Sequence, residues 1–186
     1  MTRIFCEGSP AAQILEALRS NGRPPLNAGR ANVEQGRAIA DASIQDLLGV
    51  STVVDADAAL LVRSGFLLLA NDLDGSHAIS QKVSTPDGSY LHGIMHRREG
   101  DFSNAQYWFH RVGDHPLFEP LGASARTLGP WSSEILKRDR LDPFRFVDLV
   151  EACLDGRRAE LNSSLEELQE MEMLLLLNRC ARFALG

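Results

Sequence analysis

The histidines of this chain are concentrated in one part of the sequence. All five lie between His77 and His115. His92 and His96 are four positions apart, so both project from one face of a helix, and Glu99 continues that face three positions further on. Two imidazoles and a carboxylate are a ligand set for a divalent metal ion. The spacing therefore predicts a metal site at His92, His96 and Glu99, with His77 or His115 as a further ligand.

This pattern differs from the zinc-peptidase motif H-E-x-x-H. Gly93 follows the first histidine, so the glutamate that acts as general base in that motif is missing. The chain also lacks a G-x-S-x-G element and a glycine-rich phosphate loop, and none of its cysteines neighbours a histidine. The sequence therefore indicates no reaction type, and it leaves open whether the protein is an enzyme.

Further polar residues surround the break between two expected helices at Gly100. Asp101 is expected to cap the second helix, and Asn104 lies in its first turn. Arg97 is suited to binding a carboxylate or phosphate group through two parallel hydrogen bonds. Trp108 follows Asn104 by four residues and is expected to form a wall of the same pocket.

Two interpretations of this polar cluster remain open. In the first, the protein binds a divalent metal ion as cofactor, or a small anionic molecule, through His77, His92, His96, Arg97, Glu99, Asp101, Asn104 and Trp108. In the second, the protein is a helical protein–protein interaction module, and its polar residues form a structural network. The arginines would then pair with nearby acids, as Arg97, Arg98 and Arg111 with Glu99, Asp101 and Asp114.

The elements that must position these residues are predicted to be helices. No stretch shows the sustained alternation and β-branched enrichment typical of strands. Apolar helices are expected at 56–70, 143–155 and 164–184 and should form the core, with a more polar helix at 33–48. A capping box that begins at Ser163 or Ser164 is expected to open the last helix. The sequence therefore predicts an all-α fold, a compact single-domain bundle of about eight helices over residues 1–186.

Two short segments of this scaffold echo each other. Asp74–Ala78 (DGSHA) and Asp101–Ala105 (DFSNA) are 27 residues apart, and each follows a helix with an interior glycine, Gly65 or Gly93. The echo predicts two stacked helical hairpins, with Asp74 and Asp101 as N-caps of their second helices. In the alternative, the two helix N-termini converge on an anion.

The same region resembles two known groups. His92–Pro116 is similar to one tetratricopeptide-type hairpin, with Gly93 and Phe109 at small and aromatic positions of that family and His96 where an aromatic residue is expected. The segment His96–Pro116 (HRREGDFSNAQYWFHRVGDHP) also resembles a motif in a group of uncharacterised bacterial and fungal proteins. The first resemblance implies a tetratricopeptide-like hairpin pair at the centre of the bundle. The second implies kinship and no chemistry.

Composition restricts the partners and the compartment. The net charge is −6 and there is no basic stripe, so nucleic acid is not an expected partner. No apolar run approaches the roughly 20 residues of a membrane span, and the first residues lack a signal-peptide core. Three cysteines without a CxxC pair indicate a reducing, cytoplasmic location, with the cysteines of the helices as small buried apolar residues. The apolar last helix is expected to serve either the core or a homodimer interface.

Overall fold

The computed structural model of the protein describes residue 5 and residues 8–186. In this part, the chain forms ten α-helices and one ladder of two short antiparallel strands, which confirms the all-α class. The helices are α1 (Pro10–Ser20), α2 (Val33–Asp41), α3 (Ile44–Leu48), α4 (Ala56–Leu69), α5 (Leu73–Ser80), α6 (Pro86–Glu99), α7 (Phe102–Val112), α8 (Phe118–Leu128), α9 (Pro143–Leu154) and α10 (Asn162–Leu185). The strands are β1 (Leu136–Lys137) and β2 (Arg140–Leu141), and 3-10 helices lie at Pro130–Glu134 and Ala159–Leu161.

The described chain has two more helices than the sequence predicts, for local reasons. The helix expected over 33–48 is divided, because Ala42 adopts an extended backbone and the side chain of Ser43 caps α3. Helix α8 carries few of the usual helix signals: no side chain caps it, and its interior contains Gly122.

The β1–β2 hairpin is the feature that the all-helical expectation omits. Its two turn residues, Arg138 and Asp139, have φ angles of 50° and 66°, in the left-handed region that normally favours glycine or asparagine. The turn packs against α8 at Gly122, where a Cβ would lie 2.3 Å from the carbonyl oxygen of Asp139. Without a glycine or asparagine in the turn, the sequence gives little indication of the hairpin.

Helices α4 and α10 form the centre of the bundle. Phe66 of α4 and Leu176 of α10 are completely buried, as is Phe146 of α9. Gly65 brings α4 close to α10, since a Cβ there would lie 3.1 Å from Cδ1 of Leu177. The three apolar helices expected to form the core therefore do so.

Helix α10 begins differently from the expectation. It follows the 3-10 helix Ala159–Leu161 directly, and no side-chain hydrogen bond caps its first turn. Ser163 and Ser164 lie inside the helix, so the predicted capping box is wrong. No helix in the described part of the chain is both long enough and apolar enough to span a membrane.

Two of the three cysteines lie in the described part of the chain. Cys153 and Cys180 have free thiols and are buried, as predicted for small apolar core residues. Cys6 lies outside the described residues.

Two neighbouring helical hairpins, α4–α5 and α6–α7, position the polar cluster. Gly93 packs against the ring of Phe109, with a would-be Cβ 3.1 Å from Cε2, so α6 and α7 lie close together. Asp101 caps α7 as predicted, accepting a hydrogen bond from the backbone N–H of Asn104. Helix α5 is instead capped by Asp72, so the predicted cap at Asp74 is wrong by two positions. The kinship of these hairpins with tetratricopeptide repeats stays a prediction.

Candidate metal centre

Three histidines meet where helices α5 and α6 pack together. His77 comes from α5, and His92 and His96 come from successive turns of α6. The ring centroid of His77 lies 4.7 Å from that of His92 and 5.4 Å from that of His96, and the last two are 4.7 Å apart. One ring nitrogen of each histidine lies within 4.8 Å of the other two. The spacing of four residues thus brings His92 and His96 together, and His77 completes the group.

The separation of these nitrogens can be compared with what a metal ion requires. Zn–N bonds of 2.0–2.1 Å in a tetrahedral site place the nitrogens about 3.3 Å apart. The nitrogens of the three histidines lie within 4.8 Å of one another, so each ring would have to move inward by no more than about 1 Å on binding. Rotation about side-chain bonds supplies a movement of this size without moving a helix.

Ser80 forms a hydrogen bond with His92. The Ser80 oxygen lies 3.1 Å from Nδ1 of His92 and 3.5 Å from the carbonyl oxygen of His77. A hydroxyl can donate to the carbonyl and at the same time accept a hydrogen bond from Nδ1–H of His92. In that arrangement the lone pair of the neutral His92 ring is on Nε2, where a metal ion can bind it.

Glu99 has the same effect on His96. Oε2 of Glu99 lies 3.1 Å from Nδ1 of His96, and an ionised carboxylate only accepts hydrogen bonds. The proton of His96 is therefore on Nδ1, and the lone pair on Nε2 accepts a hydrogen bond from the side-chain amide of Asn104 at 3.1 Å, which a metal ion would replace. Carboxylates commonly hold metal-binding histidines in this way. Glu99, which the sequence places among the metal ligands, is not in the group of three converging residues and instead supports His96.

Burial and mutual proximity favour the neutral form of the His92 and His96 rings. His92 is 2% exposed and His96 is 6% exposed. Burial, and then the neighbouring His96 and His77, lower the pKa of His92 from 6.5 to about 3. Burial also lowers the pKa of His96, against the opposing effect of Glu99. At neutral pH the lone pairs of the His92 and His96 rings carry no proton, so a metal ion that binds them displaces no proton.

Helix α7 forms the wall of the cluster. The Trp108 ring packs on His92 with centroids 4.0 Å apart, and the Arg111 guanidinium lies 5.2 Å from the Trp108 ring. Asp101 lies at the edge, exposed, and its negative charge favours a positive charge on His96. The structure therefore brings Asn104, Trp108 and Asp101 to the histidines from one helix.

Arg97 lies outside the candidate site. Its Nη2 is 2.5 Å from Oε2 of Glu172 and 3.2 Å from Oε1 of Gln169, both on α10, and its guanidinium lies 4.3 Å from the Phe146 ring centroid. Successive side chains on a helix point about 100° apart, so Arg97 faces α10 while His96 faces α5 and α7. Arg97 is completely buried, and it pairs with neither a ligand in this cluster nor the acids close to it in sequence.

Arg98 is buried as well and has a structural role. It donates to the backbone carbonyls of Leu68 at 2.7 Å and of Pro25 at 3.1 Å, and to Oδ1 of Asn71 at 2.5 Å. Among the described residues it has no carboxylate partner. Burial, and then the charge of Arg97, lower its pKa from the ordinary value of an arginine to about 9. This side chain ties α6 to α4 and to the loop after α1.

The remaining histidines do not join the cluster. Nε2 of His115 lies 2.8 Å from Oδ1 of Asp87, and its Nδ1 accepts from the backbone N–H of Leu117 at 3.3 Å. Both ring nitrogens are thus engaged, which removes His115 as the further ligand that the sequence offers. His110 is exposed and packs against Phe144.

Ser80 is the site residue that the sequence analysis missed. The available signal was its position three residues after His77, which places both side chains on neighbouring parts of one helix face. A serine at such a position has no feature that distinguishes it until its partner on α6 is known.

Comparisons of the chain with known protein families, with curated proteins and with solved structures gave no match.

Proposed function

We propose that this protein binds a divalent transition-metal ion through His77, His92 and His96. The observation that supports this most directly is the convergence of one nitrogen from each ring within 4.8 Å. Ser80 and Glu99 strengthen the case, because a hydrogen-bond partner at Nδ1 of His92 and of His96 is the arrangement in which Nε2 of a histidine binds a metal ion.

The donor set favours a particular class of metal. Imidazole nitrogens suit zinc, copper, nickel and iron, whereas magnesium and calcium prefer oxygen ligands. Three protein ligands leave one position of a tetrahedral ion for water or a small molecule. The proposed centre is therefore an open site of the zinc class, at which an anionic ligand would bind through the metal.

The surrounding charges support a cation as the primary ligand. The carboxylates of Glu99 and Asp101 adjoin His96, and both favour positive charge there. Two arginines of the segment, Arg97 and Arg98, are buried against other helices. An anion without a metal ion would meet two carboxylates and would lack the arginine partner expected from the sequence.

Direct metal titration tests the proposal. Metal-stripped, untagged protein is titrated with Zn²⁺, Co²⁺ and Ni²⁺, and separately with Mg²⁺ and Ca²⁺, by calorimetry. We expect one transition-metal ion per chain, no binding of Mg²⁺ or Ca²⁺, and a tetrahedral Co²⁺ absorption spectrum. At 100 times the dissociation constant, zinc should raise the free energy of unfolding by about 2.7 kcal/mol.

Matched histidine variants identify the ligands. His77→Ala is the most informative, since His77 is only half-buried and its loss should leave the fold intact. His77→Ala and His96→Ala should abolish the Co²⁺ spectrum, whereas His110→Ala, at an exposed histidine of α7, should leave it unchanged. A folded parent protein that binds none of the transition metals would refute the proposal. In that case, variants that only lower stability, by about 1–3 kcal/mol, would indicate the structural network of an interaction module.

A further inference from the structure

A large groove lies away from the histidines, at the end of the bundle where α4 begins and α10 ends. Its volume is about 1250 Å³, and it is lined by Val54–Asp57, by Pro116 and Leu117, and by the last three turns of α10. In the earlier part of α10 the leucines are buried in the core and Met171 is partly buried. The exposed apolar residues of this helix, Phe183 and Leu185, lie in its last turns, at the groove.

Apolar side chains are exposed along the groove. Val54 is 73% exposed and Phe183 is 47% exposed, and Leu185 is exposed beside them. Single exposed apolar residues are common on protein surfaces, but a group of them around one concave surface is typical of an interaction site. Phe183 projects beside the groove and carries the largest apolar side chain of the group.

The two sides of the groove carry opposite charges. Asp55 and Asp57 lie at the start of α4, and Arg179 and Arg182 lie on α10. Asp55 caps α4, and Arg179 contacts Asp87, so both already have a partner within the chain. Asp57 and Arg182 are exposed and are the charges best placed to meet a second molecule.

We propose that this groove is the interface of a twofold-symmetric homodimer. Phe183 of each copy enters the groove of the other, and Asp57 of one copy faces Arg182 of the second. A twofold axis places the same surface on both sides of the interface, so a surface with one acidic and one basic side is complementary to itself. A partner of a single charge would be repelled by one side of the groove. The exposed apolar side chains along the groove supply the burial that such an interface needs.

Light scattering coupled to size-exclusion chromatography tests the proposal on the full chain. At about 100 μM, where an interface of micromolar affinity is largely occupied, the parent protein should elute as a dimer. Phe183→Asp should elute as a monomer with an unchanged circular-dichroism spectrum. Tyr107→Asp, at an exposed aromatic residue of α7 outside the groove, is the control and should remain a dimer. A monomeric parent, or a dimer that Phe183→Asp leaves intact, would overturn the proposal.

Charge reversal then tests the pairing across the interface. Asp57→Lys and Arg182→Glu should each weaken dimerisation roughly tenfold or more, and the double variant should restore it, because the charges are exchanged. A double variant weaker than either single variant would rule out the proposed pairing. The groove and the histidine cluster share no residue, so each proposal is tested independently of the other.

Discussion

Glu99 and His96 form a contact of 3.1 Å on one face of α6, between Oε2 and Nδ1. The contact leaves the other nitrogen of the ring as the lone-pair donor, and it holds the ring in a fixed orientation toward His77 and His92. Glu99, which the sequence predicts to be a metal ligand, thus supports the proposed ligand His96. Substitution of a ligand and substitution of a supporting residue should weaken metal binding to different extents.

Glu99→Ala should weaken metal binding by about 10–100-fold without abolishing it, since the three imidazoles remain. The zinc dissociation constant is measured by competition with a chromophoric chelator. Glu119→Ala, at an exposed glutamate of α8, is the matched control and should leave the constant unchanged. Loss of binding as complete as in His96→Ala would assign Glu99 to the ligands, and an unchanged constant would remove its supporting role.

The metal-free protein should lose stability as the pH falls. The pKa of His92 is about 3 in the folded state and 6.5 as its ordinary value. Between these values the unfolded chain takes up a proton that the folded chain does not, so acid favours unfolding. The contribution is complete above pH 6.5 and decreases by at most about 1.4 kcal/mol per pH unit below it. Urea unfolding at several pH values in this window measures the slope.

Substitution of His92 measures how much this residue contributes to the pH dependence of the free energy of unfolding. His92→Gln removes the titrating group, so its free energy of unfolding should depend less on pH over the same window. His110→Gln, at an exposed histidine, should keep the parent slope. Equal slopes for the parent and His92→Gln would contradict the prediction.

The buried pair of Arg97 and Glu172 should matter for stability and not for metal binding. Both side chains are completely buried, so Arg97→Met leaves an uncompensated carboxylate and should lower the free energy of unfolding by about 3–5 kcal/mol. The double variant Arg97→Met/Glu172→Leu should recover most of this loss, as measured by urea unfolding. Arg97→Met should keep the zinc affinity of the parent while it is folded. A folded Arg97→Met protein with a lower zinc affinity than the parent would show that Arg97 contributes to the metal site.

Gly122→Ala should destabilise the protein even though alanine favours helix. The added Cβ would lie 2.3 Å from the carbonyl oxygen of Asp139, so the β1–β2 turn must move away from α8. We expect a loss of about 1–3 kcal/mol in the free energy of unfolding. The higher helix preference of alanine, acting alone, would instead raise the free energy of unfolding by up to about 1 kcal/mol. The sign of the measured change therefore shows which effect is larger.

Local signals in the sequence predict most of the scaffold and part of the site. The cap at Asp101 and the convergence of His92 and His96 depend on residues within one or two helical turns, and spacing alone specifies them. The same reasoning fails for the cap of α5, because Asp72 and Asp74 both satisfy the cap preference and only tertiary packing selects between them. Local chemistry therefore predicts which residues could act and leaves some choices open.

Long-range partners account for the rest. Arg97 meets Glu172 across 75 residues, and nothing near Arg97 in sequence indicates this. Glu99 is not one of the three converging residues, because His77 of another helix completes that group. Only the packing of the hairpins places His77 there. The β1–β2 hairpin escapes prediction because Arg138 and Asp139 occupy a backbone conformation that the fold imposes on them.

The adjacent arginines of α6 also constrain the order in which the chain assembles. Arg98 binds the carbonyl of Pro25 across 73 residues, and Gln169, a partner of Arg97, binds the same carbonyl across 144. Such contacts require large loops to close first, so this polar layer should form late in folding. Amide protons around it should exchange with solvent only when the whole molecule opens. The layer thereby joins the beginning, the middle and the end of the chain into one cooperative unit.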